Sequence, residues 1–240
     1  MLTITFENLD SCDEDEAVVT APTPSCNRFR VISGVFFSSP PCIEHTELLF
    51  NGWDVMQHSQ HFRLTLEVNA TDHVLGPAHA PVTVVEYGDF ECPNCKQAAP
   101  AVKLILAKFD QAVRFVYRHF PLEEVHSHAL HAAQAAECAG GQGKFWQMHD
   151  LLFDNQAHLK LKQLRSYAER LELDLPRFSA EMSDEIYLQR VREHQRSGND
   201  SGVRSTPAFY VNGAIHDVSF GLRSLIDRIQ EELRSQAHRT

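Results

Sequence analysis

The chain has 240 residues, of which 43% are hydrophobic and 22% are charged, and its formal net charge is −10 at pH 7. This length suits one folded domain that carries an insertion or an extension. The acidic balance argues against nucleic-acid binding, and no apolar run reaches the length of a membrane-spanning helix.

Residues 1–60 lack the pattern of a folded core. They show no sustained hydrophobic period and contain four prolines, three of the six cysteines and the acidic run Asp13–Glu16. We therefore predict a disordered or weakly ordered extension over residues 1–60. Neither Met1 nor Met56, an alternative start, precedes the pattern of a secretory signal, so both starts predict a cytoplasmic location.

Residues 61–121 form the first half of the predicted core. The pattern favours a short strand at Arg63–Val68, and β-branched and aromatic residues predict a buried strand at Val82–Tyr87. Apolar residues at helical spacing predict a helix over residues 93–109, and a further strand is expected at Val113–Arg118. A crossover helix between two strands predicts that the strands are parallel.

Residues 122–200 are helical by pattern and form a predicted insertion. The predicted helices cover residues 126–139, 143–155, 160–171 and 177–196. Residues 201–240 return to strand and then helix. Within them, Ala208–Val211 and Ile215–Val218 flank Asn212-Gly213, a strong hairpin signal, and an amphipathic helix is expected from Gly221 onward.

The sequence Cys92-Pro93-Asn94-Cys95 lies between the predicted buried strand and its crossover helix. At the exposed first turn of a helix, the Cys92 sulfur faces free N–H groups and the positive end of the helix dipole, which stabilise a thiolate. Cys95 lies about one turn further on, where it is more shielded and can form a disulfide with Cys92. This arrangement is typical of thiol–disulfide exchange.

Glu86 lies six residues before Cys92, at the end of the predicted buried strand. If its carboxyl group is buried near the cysteines, burial raises its pKa, and the group can move a proton to and from Cys95. The alternative is an exposed glutamate at a strand end.

The order of elements and several motifs resemble the DsbA-like thiol–disulfide oxidoreductases over residues 72–236. The motifs are Glu86–Cys92, Arg118–Leu122, Phe145-Trp146 and Pro100, which follows Cys92 by eight residues. The resemblance implies an α/β, thioredoxin-like fold with an inserted all-helical domain.

The resemblance also implies roles for individual residues. Cys92 would form the mixed disulfide, Cys95 would resolve it, and Glu86 would move the proton. Thr206-Pro207 matches the family's cis-proline, so Thr206 and Pro207 would bind an extended substrate beside Cys92. The implied partners are protein or peptide thiols and disulfides, with a low-molecular-weight thiol or redox partner for recycling. No cofactor, metal, nucleic acid or membrane partner is expected.

The dipeptide Pro93-Asn94 lacks the histidine of DsbA. We therefore expect a Cys92 pKa between the value of about 3.5 in DsbA and about 7 in thioredoxin, which favours a reductase or isomerase. Two alternatives stay open: a glutathione-type transferase or isomerase on a related fold, and a binding module whose cysteines hold zinc. We interpret His126, His128 and His131 as a partly exposed helix face rather than zinc ligands.

Overall fold

The computed structural model describes residues 63–218 and 221–238, so the predicted extension over residues 1–60 lies outside the described residues. Within them, five strands form one sheet in the order β1-β3-β2-β4-β5. The strands are β1 (His73–Leu75), β2 (Val82–Gly88), β3 (Val113–His119), β4 (Ala208–Val211) and β5 (Ala214–His216).

Strands β2 and β3 are parallel, as predicted, and the other neighbours in the sheet are antiparallel. The crossover between β2 and β3 is helix α1 (Pro93–Lys108). Strand β4 runs against β2, and its first residue Ala208 pairs with Tyr87. The end of β2, the start of α1 and the start of β4 therefore meet at one edge of the sheet.

Six further helices are described. They are α2 (Ala129–Gly140), α3 (Phe145–Asp154), α4 (Leu161–Arg170), α5 (Leu175–Ser183), α6 (Leu188–Asp200) and α7 (Arg223–Ala237). Helices α2 to α6 lie within the segment predicted to be a helical insertion, and α7 is the predicted closing helix.

Two sequence predictions about elements are wrong. The single helix predicted over residues 177–196 is two helices, α5 and α6, because Glu185 between them has a left-handed backbone with φ of 51°. The strand predicted at Arg63–Val68 is only an isolated bridge between Arg63 and Ala214. The edge strand β1 was not predicted, because three residues give too little alternation to recognise.

The sheet packs on both faces because successive strand side chains alternate. Val85 and Tyr87 of β2 belong to a smaller core on one face. Val82 and Val84 belong to the larger core, which includes Cys95 of α1. Burial of each large apolar side chain contributes about 1.5–3 kcal/mol. Glu86 follows the alternation of Val84, so its side chain lies on the face that α1 covers.

Gly88 ends β2 where a tyrosine ring approaches the backbone. A Cβ atom at Gly88 would lie 2.5 Å from the ring of Tyr117, which is closer than real Cβ contacts. The absence of a side chain therefore lets the chain turn into the Cys-x-x-Cys loop directly over β3.

Arg118 of β3 ties the segment before β1 to the sheet. Its guanidinium is fully buried and donates two hydrogen bonds to the Asp72 carboxylate, at 2.8 and 2.9 Å. It also donates to the carbonyls of Leu66 and Glu67, at 2.8 and 3.0 Å. No described helix combines the length and apolar character that crossing a membrane requires.

Candidate active site

The two cysteines of the motif occupy the N-terminus of α1. Cys92 is the N-cap residue, with an extended backbone, and Pro93 begins the helix, where its missing N–H costs nothing. The free N–H groups of the first turn therefore surround the Cys92 sulfur. Both residues are free cysteines in this structure.

The environment of Cys92 favours its thiolate. The pKa of Cys92 is lowered to about 5, chiefly because the Cys95 thiol donates a hydrogen bond to the Cys92 sulfur, and this effect outweighs the opposing effect of burial. The side chain of Thr206 and the backbone N–H groups of Cys95 and Asn94 also lower the Cys92 pKa. The value lies within the range that the sequence predicts.

Cys95 stays a thiol while Cys92 ionises. It is fully buried, and burial raises its pKa well above the usual value, with the Cys92 and Glu86 charges adding to the effect. The backbone N–H of Asp89 donates to its sulfur at 3.5 Å. Cys92 is more exposed than Cys95, as expected, but at 5% it does not lie at an exposed turn. That part of the sequence prediction is wrong, because the loop of Thr206 covers Cys92.

Glu86 is buried, which removes the alternative of an exposed strand-end glutamate. Burial, together with the charge of the nearby Cys92 thiolate, raises the pKa of its carboxyl group to about 8. A cavity of about 60 Å³ lies beside it and is also lined by Lys103, His149 and Asp150. Most of the other side chains that line this cavity are apolar, and Lys103 and Asp150 form a partly exposed ion pair at 2.8 Å.

The peptide bond between Thr206 and Pro207 is cis, as the resemblance implied. The Cys92 thiol donates to the Thr206 carbonyl, with 3.2 Å between Sγ and O. The Thr206 hydroxyl is buried and has no other hydrogen-bond partner among the described residues, so it is free to donate to the thiolate. A groove of about 460 Å³ runs beside Pro207 and is also lined by Asn94 and Gln97.

Two pairs, each between a carboxylate and a histidine, lie on either side of the loop and were not predicted from the sequence. Asp89 accepts hydrogen bonds from the Leu122 N–H and from Nδ1 of His126, both at 2.8 Å. Glu91 accepts from the His128 N–H at 2.7 Å and from its Nδ1 at 2.9 Å. His126 and His128 precede α2, so their interpretation as part of a helix face is wrong, whereas His131 lies on α2 and is exposed, as predicted. The sequence does not predict these contacts, because the histidines lie more than 30 residues from the motif along the chain.

One group of described residues is close enough to hold a metal ion: His119, Glu137 and His194. Glu137 already accepts hydrogen bonds from His73 and His119, at 3.0 and 2.9 Å. The Arg190 guanidinium lies 3.2 Å from the same carboxylate oxygen and supplies the compensating positive charge. The Glu137 carboxylate therefore already has three partners, although Nδ1 of His119 and Nε of Arg190 have no hydrogen-bond partner among the described residues. The group includes neither Cys92 nor Cys95.

The edge of the sheet thus brings together the five residues that the sequence singles out for chemistry. The fold and this arrangement define the class of DsbA-like thiol–disulfide oxidoreductases. A family model described as Thioredoxin matches residues 68–229. The chain therefore belongs to the thioredoxin family.

Solved structures share the fold. BdbD from Bacillus subtilis has a TM-score of 0.63 and 24% identity, over 68% of this chain and 93% of that protein. At this identity the likeness shows the fold alone. A thioredoxin-like oxidoreductase from Silicibacter pomeroyi has a TM-score of 0.59 and 27% identity, over 68% of this chain and 94% of that protein.

Curated relatives are similar over part of their length. A protein named Na(+)/H(+) antiporter NhaA 1 from Salinispora arenicola is 51% identical over 154 residues, which are 64% of this chain and 24% of the relative. NhaA 3 from Salinispora tropica is 49% identical over the same shares. The chain therefore spans about a quarter of the length of the curated relatives it matches.

Proposed function

We propose that this protein exchanges thiols and disulfides with protein or peptide substrates through Cys92 and Cys95. One observation carries the proposal: the Cys92 sulfur lies at a helix N-terminus, 3.2 Å from the carbonyl that precedes a cis-proline. An extended substrate in the groove beside Pro207 would pair with the Thr206 backbone and bring its sulfur to Cys92.

In the reducing direction, the Cys92 thiolate attacks one sulfur of a substrate disulfide. A mixed disulfide forms, and the other substrate sulfur leaves as a thiolate that takes a proton from water. Cys95 then loses its proton to Glu86 and attacks the Cys92 sulfur. The second substrate thiolate leaves, Cys92 and Cys95 become a disulfide, and two electrons pass to the substrate.

The charge of Cys92 controls when Glu86 acts as a base. While Cys92 is a thiolate, its charge helps to hold the Glu86 carboxyl group protonated. In the mixed disulfide that charge is gone, so the Glu86 pKa falls and the carboxylate can accept the proton of Cys95. We propose that this proton reaches solvent through the small cavity beside Glu86, whose lining includes Lys103, His149 and Asp150.

The direction we propose is reduction or isomerisation. A Cys92 pKa of about 5 stabilises the thiolate less than the value of about 3.5 in DsbA, so the dithiol is a weaker oxidant than DsbA. A low-molecular-weight thiol or a redox partner would regenerate it. We also propose the cytoplasm as its location, and fusions to alkaline phosphatase and to a fluorescent protein would test it.

The two alternatives have weaker support. A glutathione-type transferase needs no second cysteine, whereas Cys95 lies close enough to donate a hydrogen bond to Cys92. A zinc site needs four ligands, and the one metal-capable group among the described residues excludes both cysteines. Ion transport is named for the longer curated relatives, and we propose thiol chemistry for the segment that this chain shares with them.

The test uses single cysteine variants in an insulin reduction assay with dithiothreitol as the electron donor. Cys92→Ser should abolish the activity, because no thiolate remains to attack. Reduced Cys95→Ser, freed of dithiothreitol before insulin is added, should accumulate mixed disulfides with the substrate, because no second thiol resolves them. Cys138→Ala, a change at a buried cysteine in α2, is the matched control and should retain activity. Activity that persists in Cys92→Ser would contradict the proposal.

A further inference from the structure

Gln156 joins the helical insertion to the active-site loop. Its side-chain amide donates hydrogen bonds to the carbonyl oxygen of Phe90 at 3.0 Å and to that of Cys92 at 2.8 Å. The two carbonyls lie on either side of Glu91, so a single NH₂ group holds both ends of the turn that delivers Cys92 to α1.

The position of Gln156 is fixed by its own surroundings. It follows Asn155, the C-cap of α3, whose amide side chain donates to the Leu151 carbonyl at 2.8 Å. The turn continues with the His158 N–H donating to the Asn155 carbonyl at 2.7 Å, and Tyr167 of α4 donates to the His158 carbonyl at 2.8 Å. Gln156 therefore projects from an ordered turn rather than from a free loop.

The Cys92 carbonyl has a second task. As the N-cap residue, Cys92 accepts the first hydrogen bond of α1, from the Lys96 N–H at 3.2 Å. The Gln156 amide uses the other lone pair of this oxygen. It also directs the positive end of its N–H dipoles at the loop that carries the thiolate, adding to the effect of the helix N-terminus.

We propose that Gln156 is a positioning residue through which the helical insertion holds Cys92 at the N-terminus of α1. The inference rests on the proposed function, since it concerns the reactivity of the same sulfur. Without the Gln156 amide, two carbonyls lose a donor and the turn is free to move. The Cys92 sulfur then spends less time near the N–H groups of Asn94 and Cys95, and its thiolate is less stable.

The test measures the Cys92 pKa from the pH dependence of iodoacetamide alkylation in the reduced protein. Gln156→Met keeps the length of the side chain and removes the donor, so the pKa should rise by about half a unit to one unit, as expected for lost hydrogen bonds. Alkylation near pH 5 should slow by roughly two- to sixfold, because the wild-type Cys92 is about half ionised there. Gln156→Glu should raise the pKa further, because a carboxylate replaces the donor.

Gln195→Met is the matched control. Gln195 also lies in the helical insertion and donates to a backbone carbonyl, that of Pro121 at 2.8 Å, but it makes no bond to the loop 89–92. It should leave the Cys92 pKa unchanged. A Gln156→Met protein that folds and titrates as the wild type would overturn the inference, and Gln156→Ala gives the same test should the methionine variant fail to fold.

The two proposals fail separately. Alkylation reports the Cys92 thiolate without any substrate disulfide, so it judges the role of Gln156 even in a protein that reduces nothing. A wild-type protein that does not reduce insulin would contradict the proposed function alone. A positioning role also predicts a lower reduction potential for Gln156→Met than for Gln195→Met, which a purely structural role would not produce.

Discussion

At the scale of the residue, the pKa values of neighbouring groups in the active site shift in opposite directions. The Cys92 pKa falls to about 5, while the pKa values of Cys95 and Glu86 rise because both are buried. Near neutral pH, Cys92 is therefore a thiolate, Cys95 is a thiol, and the Glu86 carboxyl group is neutral. This separation of pKa values identifies Cys92 as the nucleophile, and Cys95 and Glu86 as the groups that hold a proton.

Glu86→Gln should raise stability and slow catalysis. Below its ordinary pKa of 4.5, Glu86 is neutral in both the folded and the unfolded chain. Between about 4.5 and 8 only the unfolded chain loses the proton, so the free energy of unfolding of the wild type falls as pH rises. Glutamine stays neutral at every pH. The melting temperature of Glu86→Gln should therefore exceed that of the wild type increasingly between pH 4.5 and 8, by more than about 5 °C at pH 8.

The same variant should resolve mixed disulfides about 100-fold more slowly, the scale of a lost general base. Differential scanning calorimetry of the reduced protein at pH 5 and pH 8 measures the first effect, and quenched-flow trapping measures the second. Glu124→Gln, at an exposed position, is the control. Equal melting temperatures for wild type and Glu86→Gln at pH 8 would show that Glu86 is ionised without penalty.

At the scale of the element, the sequence predicts the central strands, the crossover helix and the cis-proline strand, because each has a local signal. It fails where the signal comes from contacts between distant segments. The break between α5 and α6 has no glycine or proline to mark it, and β1 is an edge strand stabilised by pairing with β3. Likewise, Cys92 and Glu86 follow from local motifs and Pro207 from the resemblance, whereas Asp89 and Gln156 make the contacts that place them in the site with segments 30 or more residues away.

Asp72→Asn should destabilise the protein through the segment that precedes β1. The change leaves the buried Arg118 guanidinium without its carboxylate, which costs about 3–5 kcal/mol and roughly 10 °C in melting temperature. Burial opposes ionisation of Asp72, but the hydrogen bonds from Arg118 outweigh it and lower the Asp72 pKa. In the wild type, the ionised Asp72 contributes its full stabilisation above pH 3.8. This contribution disappears as pH falls through the lowered pKa of Asp72.

Urea unfolding at pH 7 and at pH 3 measures this effect. The control is Glu123→Gln, which breaks an exposed pair with Arg192 and should cost less than about 1 kcal/mol. Equal losses for the two variants at pH 7 would show that the Asp72–Arg118 pair is no better than a surface ion pair.

At the scale of the whole molecule, the helical insertion and the thioredoxin-like core build one site together. The core supplies the cysteines, Glu86 and the cis-proline, and the insertion supplies the side chains that hold the loop before Cys92. The active-site loop is therefore fixed from both sides. We expect the insertion to influence the redox poise of the pair as well as access to it.

The reduction potential of the Cys92–Cys95 pair decides whether the two cysteines form a redox couple of the proposed strength. Equilibration of the wild-type protein against a glutathione series, followed by alkylation and mass analysis, should show a two-electron couple between the values of about −120 mV for DsbA and about −270 mV for thioredoxin. Cys95→Ser should lose the couple. A pair that forms no disulfide under oxidising glutathione would contradict the account, and a potential at or above about −120 mV would contradict the proposed reducing direction.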